Sequence, residues 1–107
     1  MWRGEVWWVE FGPGIGGEIQ KRRPAVIVSS DASNRHMNRL QVVALTSNVE
    51  RLYSNEAYVD LNGRLNKAMA DQIHTVSKQR LLNRVGVVSP DEMQAIERTI
   101  RVQLNLR

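Results

Sequence analysis

Apolar and polar positions alternate at the start of this chain. Val6, Trp8 and Glu10 share one face, and Trp7, Val9 and Phe11 share the other. A period of two carried by β-branched and aromatic residues predicts a first strand. Pro24 to Ser30 is apolar without a break through Val28, which predicts a strand buried on both faces. Residues 31–39 are polar and read as a connection. Leu40 to Leu45 predicts the next strand, ending in Thr46-Ser47-Asn48. Glu56 to Leu61 alternates, and Asn62-Gly63 is a turn signal. Lys67 to Val76 predicts another strand, with Met69, Ile73 and Asp71 on one face. Ser77 is placed to cap a short helical turn through Leu81-Leu82, and Arg84 to Val88 reads as a short strand.

The period changes at the C-terminal end. Ser89 is an N-cap, Pro90 a first helical residue, and Glu92 completes a capping box. Met93, Ile96, Ile100 and Leu104 then recur at helical spacing as one apolar stripe. Short strands followed by one helix predict an α+β chain, mainly β: a small, strongly curved antiparallel barrel with a C-terminal helix.

A length of 107 residues fits one domain. No stretch is apolar enough to span a bilayer, and Met1-Trp2-Arg3-Gly4-Glu5 is no signal peptide. The chain has no cysteine, which excludes a disulfide framework and thiolate metal sites and agrees with a reducing cytoplasm. The carboxylates are scattered, so neither a metal nor another cofactor is expected. A net charge of +4 favours an acidic partner, nucleic acid or protein. The tryptophans at 2, 7 and 8 read mainly as core or interface mass, although such a ring also stacks on bases.

Four of the seven glycines fall in Gly12-Pro13-Gly14-Ile15-Gly16-Gly17. This loop lacks the Gly-Lys-Ser/Thr and following helix of a phosphate-binding P-loop. It continues through Glu18-Ile19-Gln20 into Lys21-Arg22-Arg23-Pro24, so it reads as a flap over a ligand groove. Proline fixes its own φ and restrains the residue before it, so Arg23 stands on a stiff mount. A guanidinium held this way suits a phosphate. The small polar residues at 46–48 are ordinary turn formers and also hydrogen-bond donors for an oxyanion.

In order along the chain, Arg3-Gly4-Glu5-Val6-Trp7, Gly16-Gly17-Glu18, Arg23-Pro24-Ala25-Val26, Leu45-Thr46-Ser47-Asn48, Asp71-Gln72-Ile73 and Ser89-Pro90-Asp91-Glu92-Met93 resemble the MazF/PemK toxins. Any one piece is weak; six in order over the whole length are specific. The resemblance implies an SH3-like barrel with a C-terminal helix, acting as a homodimer. It implies a metal-independent endoribonuclease that cuts single-stranded RNA at particular sequences, leaving 2′,3′-cyclic phosphate and 5′-hydroxyl ends. It also implies an acidic antitoxin of the MazE type that blocks the RNA groove. Arg23 and Thr46 take the catalytic positions and Glu18 an implicated one. Gln72 lies along the RNA channel. His74 stands where the family usually has Arg or Lys, so an RNA contact there would weaken as pH rises. Gly17 replaces a serine of the loop.

Internal attack by a ribose 2′-hydroxyl takes its nucleophile from the substrate, so few side chains are needed. Arg23 suits bidentate charge stabilisation and, because a guanidinium keeps its proton at neutral pH, not general base catalysis. Thr46 suits a hydrogen bond to a non-bridging oxygen, and Glu18 is a candidate base. Gly17, Ser47, Asn48, Gln72 and His74 are candidate RNA contacts. Lys21, Arg22 and Arg35 are candidates for backbone phosphates. Two rivals stand beside this reading. One is a His36/His74 acid–base pair. The other is a non-catalytic module of the same shape, like the gyrase poison CcdB, acting through the helix end Val102 to Arg107.

Overall fold

A computed structural model describes residues 1–107. The alternating stretches become β1 (Glu5–Glu10), β2 (Arg22–Ile27), β3 (Arg39–Thr46), β4 (Glu56–Leu61), β5 (Arg64–Ser77) and β6 (Leu81–Val87). Two helices join them, α1 (Asp31–His36) and α2 (Pro90–Leu104). The strands form one antiparallel sheet in the order β4-β5-β3-β2-β1-β6. Residues Asn62 and Gly63 both have positive φ, +55° and +84°, as a tight hairpin between β4 and β5 requires. The sheet curls until this hairpin meets the far strand, where Asn62 Nδ2 donates to the Val85 carbonyl at 2.9 Å. The expected small curved barrel with its terminal helix is found, as a half-barrel.

Curling creates two apolar clusters. Val6, Val26, Val43, Leu45, Ala57, Val59, Ala68 and Val88 pack with Ile96 of α2. On the other side Val9, Ala25, Ile27, Leu40, Val42, Val76 and Leu81 pack together with Trp7 and Phe11. Strand β2 serves both clusters, as its unbroken apolar run predicts. Each fully buried Ile or Leu here contributes roughly 1.5–3 kcal/mol. The Ser89–Glu92 capping box forms as expected. No helix is long and apolar enough to cross a membrane.

Several expectations need correction. Strand β2 begins at Arg22 and ends at Ile27, so Pro24 stands inside it instead of opening it. Ser29 and Ser30 leave the strand to serve α1, which the polar run 31–39 concealed. Ser30 caps α1 and Asn34 Nδ2 donates to the Ser29 carbonyl. Strand β5 starts at Arg64, and β6 already starts at Leu81, leaving only Lys78–Arg80 as a helical turn capped by Ser77. Leu104 overhangs the sheet and is exposed; Thr99 is buried on α2 instead, its hydroxyl donating to the Ile96 carbonyl. Of the tryptophans only Trp7 packs on a core, while Trp2 and Trp8 are exposed.

Glu5 ties the amino-terminal segment to the sheet. Its carboxylate accepts from the Trp2 N–H (2.9 Å) and the Trp7 indole (3.1 Å) and lies 3.3 Å from Arg84. Burial alone would raise its pKa, but these donors, with the terminal ammonium and Arg84, outweigh burial and hold it below its ordinary 4.5. The stabilisation is therefore present above that value and disappears as pH falls through the depressed native value. We predict that Glu5→Ala costs about 1–2 kcal/mol at pH 7, allowing for solvent screening. Urea unfolding at pH 7 and pH 3 checks this: the gap between wild type and variant shrinks at the lower pH, and a gap that stays constant contradicts it.

Candidate active site

The backbone of β2 explains where the site forms. Ile27 accepts from Gly4 on the β1 side, and Val28 N–H donates to Gln41 beside β3. In an antiparallel sheet these directions alternate. Even-numbered residues of β2 therefore turn their backbone groups towards β3, and Pro24 is one of them. Proline has no N–H to give. The β2–β3 pairing runs Ile27↔Val42, Val26↔Val43, Ala25↔Ala44 and stops there. On its other side β2 stays paired, Pro24 with Trp8 and Arg23 with Val9. Continuing the register would bring Arg23 opposite Thr46. Instead the strands part at that point.

An open cleft of about 430 Å³ occupies this gap. Strand β1 contributes Trp8; the loop end and β2 contribute Gln20, Lys21, Arg22, Arg23 and Pro24. Leu45, Thr46 and Ser47 come from the end of β3, and Leu61, Arg64 and Asn66 from the overhanging hairpin. Four cations line the cleft, and neither a carboxylate nor an imidazole does. Arg22 is offset by Glu10, 3.0 Å away, and that hydrogen bond is the main cause holding the Glu10 carboxyl below its ordinary range. Arg23 is half-buried and pairs with no carboxylate. Such an arrangement attracts an anion and offers it two uncommitted guanidinium groups, Arg23 and Arg64.

Thr46 Oγ1 accepts from the Asn48 N–H at 3.2 Å. That bond positions the oxygen and leaves the hydroxyl proton free to donate elsewhere. The loop after Thr46 is pinned by a buried ion pair. Lys67, opposite Thr46 in β5, meets Glu56 at 2.9 Å and donates to the Arg51 carbonyl at 2.6 Å. Glu56 also accepts from the Tyr53 N–H. All the charges of this pair are spent within the fold, so Lys67 is structural.

The glycine loop is folded back, not free. Its neck closes through Lys21 N–H to Gly12 O and Phe11 N–H to Lys21 O. Lys21 adopts φ +63°, unusual without glycine, to turn the chain into β2. Gln72 on β5 grips the loop twice. Its Oε1 accepts from Ile19 N–H at 3.0 Å and its Nε2 donates to Gly17 O at 2.9 Å. His74 lies edge-on to Phe11 at 5.4 Å, with Nδ1 3.2 Å from the Gln72 carbonyl.

The structure thus gathers Arg23, Thr46, Lys21, Arg22 and Ser47 at one cleft. It does not bring Glu18 there: that carboxylate accepts from Ile15 N–H within its own loop at 3.1 Å. Gln72 holds Gly17 of the flap, and His74 lies beside the Gln72 carbonyl and against Phe11. Asn48 sits beside the cleft, its amide oxygen accepting from Glu50 N–H. Arg35 lies on α1 beside Trp2 and Lys78, away from the others. His36, exposed on α1, and His74 both lie outside the cleft. Sequence reasoning missed Arg64 and Asn66. Their two-residue spacing after Asn62-Gly63 shows a shared face, but only the curl of the sheet shows what that face covers.

The family model for PemK-like, MazF-like toxins of type II toxin–antitoxin systems matches residues 2–104. The chain is 34% identical over 115 aligned residues to endoribonuclease MazF9 of Mycobacterium tuberculosis (strain ATCC 25618 / H37Rv), covering 99% of this chain and 98% of that protein. A mycobacterial endoribonuclease solved with its cognate antitoxin superposes with a TM-score of 0.84 at 28% identity, covering 100% and 97% of the two chains. MazF of Deinococcus radiodurans shares the fold, with a TM-score of 0.87 at 22% identity over 99% and 97%. By this sequence match along nearly its whole length, the chain belongs to the PemK-like, MazF-like toxin family.

Proposed function

We propose that the protein is the toxin of a toxin–antitoxin pair and an endoribonuclease that cuts single-stranded RNA, the scissile phosphate lying between Arg23 and Thr46. The observation that carries this reading is the uncommitted Arg23 guanidinium at a cationic cleft, which it lines together with a hydroxyl whose oxygen is already held. The 2′-oxygen attacks phosphorus and the 5′-oxygen leaves, giving a 2′,3′-cyclic phosphate and a 5′-hydroxyl. Arg23 neutralises charge on the phosphoryl oxygens and hydrogen-bonds the departing 5′-oxygen, which takes its proton from water in the open cleft. Thr46 donates to a non-bridging oxygen. The proton released by the 2′-hydroxyl passes to water, to which the cleft is open; Glu18 does not line that cleft. Lys21, Arg22 and Arg64 hold the flanking backbone, and Ser47 and Asn66 offer hydrogen bonds to base edges.

The protein acts in the cytoplasm as a homodimer of one domain per chain, restrained by an acidic antitoxin. Its net charge of +4 suits both RNA and that partner. The relatives named as endoribonucleases favour the enzyme over a gyrase-binding module. Incubating purified protein with RNA in EDTA and mapping the ends tests this. We predict site-selective cuts, lowered about a hundredfold or more in Arg23→Ala and in Thr46→Ala with folding intact. Both variants cutting at the normal rate would remove the assignment.

Gln72 acts by holding the flap, not by touching RNA. Replacing it by Ala frees both Gly17 O and Ile19 N–H, so exchange of the Ile19 amide rises about two- to tenfold, the loss of roughly one hydrogen bond. Gln72→Glu can still accept from Ile19 and retains part of the protection. Unchanged exchange in Gln72→Ala, together with lost RNA affinity, would make Gln72 an RNA contact instead.

A further inference from the structure

The exposure of Trp8 is unexplained by packing. Its neighbour Trp7 lies against a core and donates its indole N–H to Glu5. Trp8 remains 38% exposed, and its indole N–H meets no acceptor in the protein. A ring left more than a third exposed forgoes part of a burial worth about 1.5–3 kcal/mol for comparable side chains. The ring is not scattered surface: it lines the cleft with Arg23, Thr46, Arg64 and Asn66.

Position makes this specific. Trp8 pairs across the sheet with Pro24, the residue that opens the cleft and adjoins Arg23. Strand β1 is held on both sides, by β2 and by β6, with Trp8 also opposite Asn83. The ring therefore stands on backbone paired on both sides, at the same cleft as the cationic anchor. An exposed aromatic beside a phosphate-binding guanidinium is the combination that single-stranded nucleic acid engages, the charge taking the backbone and the ring taking a base. We propose that Trp8 forms a stacking subsite for one nucleobase of the nucleotide next to the scissile phosphate, with Asn66 placed to hydrogen-bond that base. This rests on the endoribonuclease reading and adds to it a recognition site for a base. Stacking tolerates any base, since each has a π-face, so Trp8 supplies affinity and register while Asn66 supplies selection.

The test uses a labelled single-stranded RNA carrying one 2′-deoxynucleotide at the mapped cut, so that it binds without being cleaved. Affinity is measured by fluorescence anisotropy for wild type, Trp8→Phe and Trp8→Ala. Each protein is also tested on oligonucleotides made abasic at one position at a time. Trp8→Ala weakens binding about 5- to 100-fold, and Trp8→Phe recovers most of the loss. For one abasic position next to the cut, wild type and Trp8→Ala bind equally. Thermal unfolding of the variants close to wild type accompanies this result. Binding unchanged in Trp8→Ala overturns the subsite while leaving the endoribonuclease reading intact, as does an equal loss at every abasic position. Antitoxin affinity lost with RNA affinity unchanged would assign the ring to the protein partner and overturn it too. Wild type that neither binds nor cuts any single-stranded RNA overturns both.

Discussion

One missing hydrogen-bond donor organises this molecule. Strand β2 lies in the middle of the sheet, where every backbone N–H that faces a neighbour is normally spent on the ladder. Pro24 occupies such a place on the β3 side and has no N–H, so the ladder ends at Ala25↔Ala44. On the β1 side the same residue remains paired with Trp8. The strand is thus firmly mounted along one edge and open along the other. The residues immediately after it, Ala25, Val26 and Ile27, are fully buried in two apolar clusters, so the mount cannot relax. A half-rigid, half-open strand is an economical way to present Arg23 across a gap from Thr46.

The surroundings of that gap follow from the curl of the sheet. Order β4-β5-β3-β2-β1-β6 puts the β4–β5 hairpin far from β1 along the ladder, yet curling carries it over the same cleft. Arg64 and Asn66 arrive in this way. Two other devices hold mobile-looking segments still. The Lys67–Glu56 pair fixes the loop following Thr46, and the Gln72 amide fixes the glycine loop by imitating a strand. Neither device spends a cleft cation, so the positive field of the site is left for the ligand.

Much of this was legible beforehand. Period-two patterns located β1 and β4, the stretch Leu40 to Leu45 marked β3, the unbroken run of β2 marked burial on both faces, and the capping box located α2. The Arg23-Pro24 pair and the Thr46-Ser47 strand end pointed to the cleft. The misses share a cause, which is that they depend on long-range geometry. Helix α1 has too few apolar residues to show a period. Leu104 continues the helical stripe, but the sheet beneath it has ended. Nor does anything local reveal that Glu18 and Gln72 contact backbone groups of the flap, or that His74 lies edge-on to Phe11. Trp8 alternates like a core residue; only the break in pairing beside Pro24 exposes it.

The central claim is that the opened β2–β3 edge holds the scissile phosphate between Arg23 and Thr46. The most direct measurement is a crystal structure of the protein with the uncleavable 2′-deoxy oligonucleotide. The account predicts that phosphate within about 3.2 Å of both the Arg23 guanidinium and Thr46 Oγ1, with the β2–β3 ladder still ending at Ala25. A scissile phosphate bound elsewhere, with neither group in contact, would contradict it.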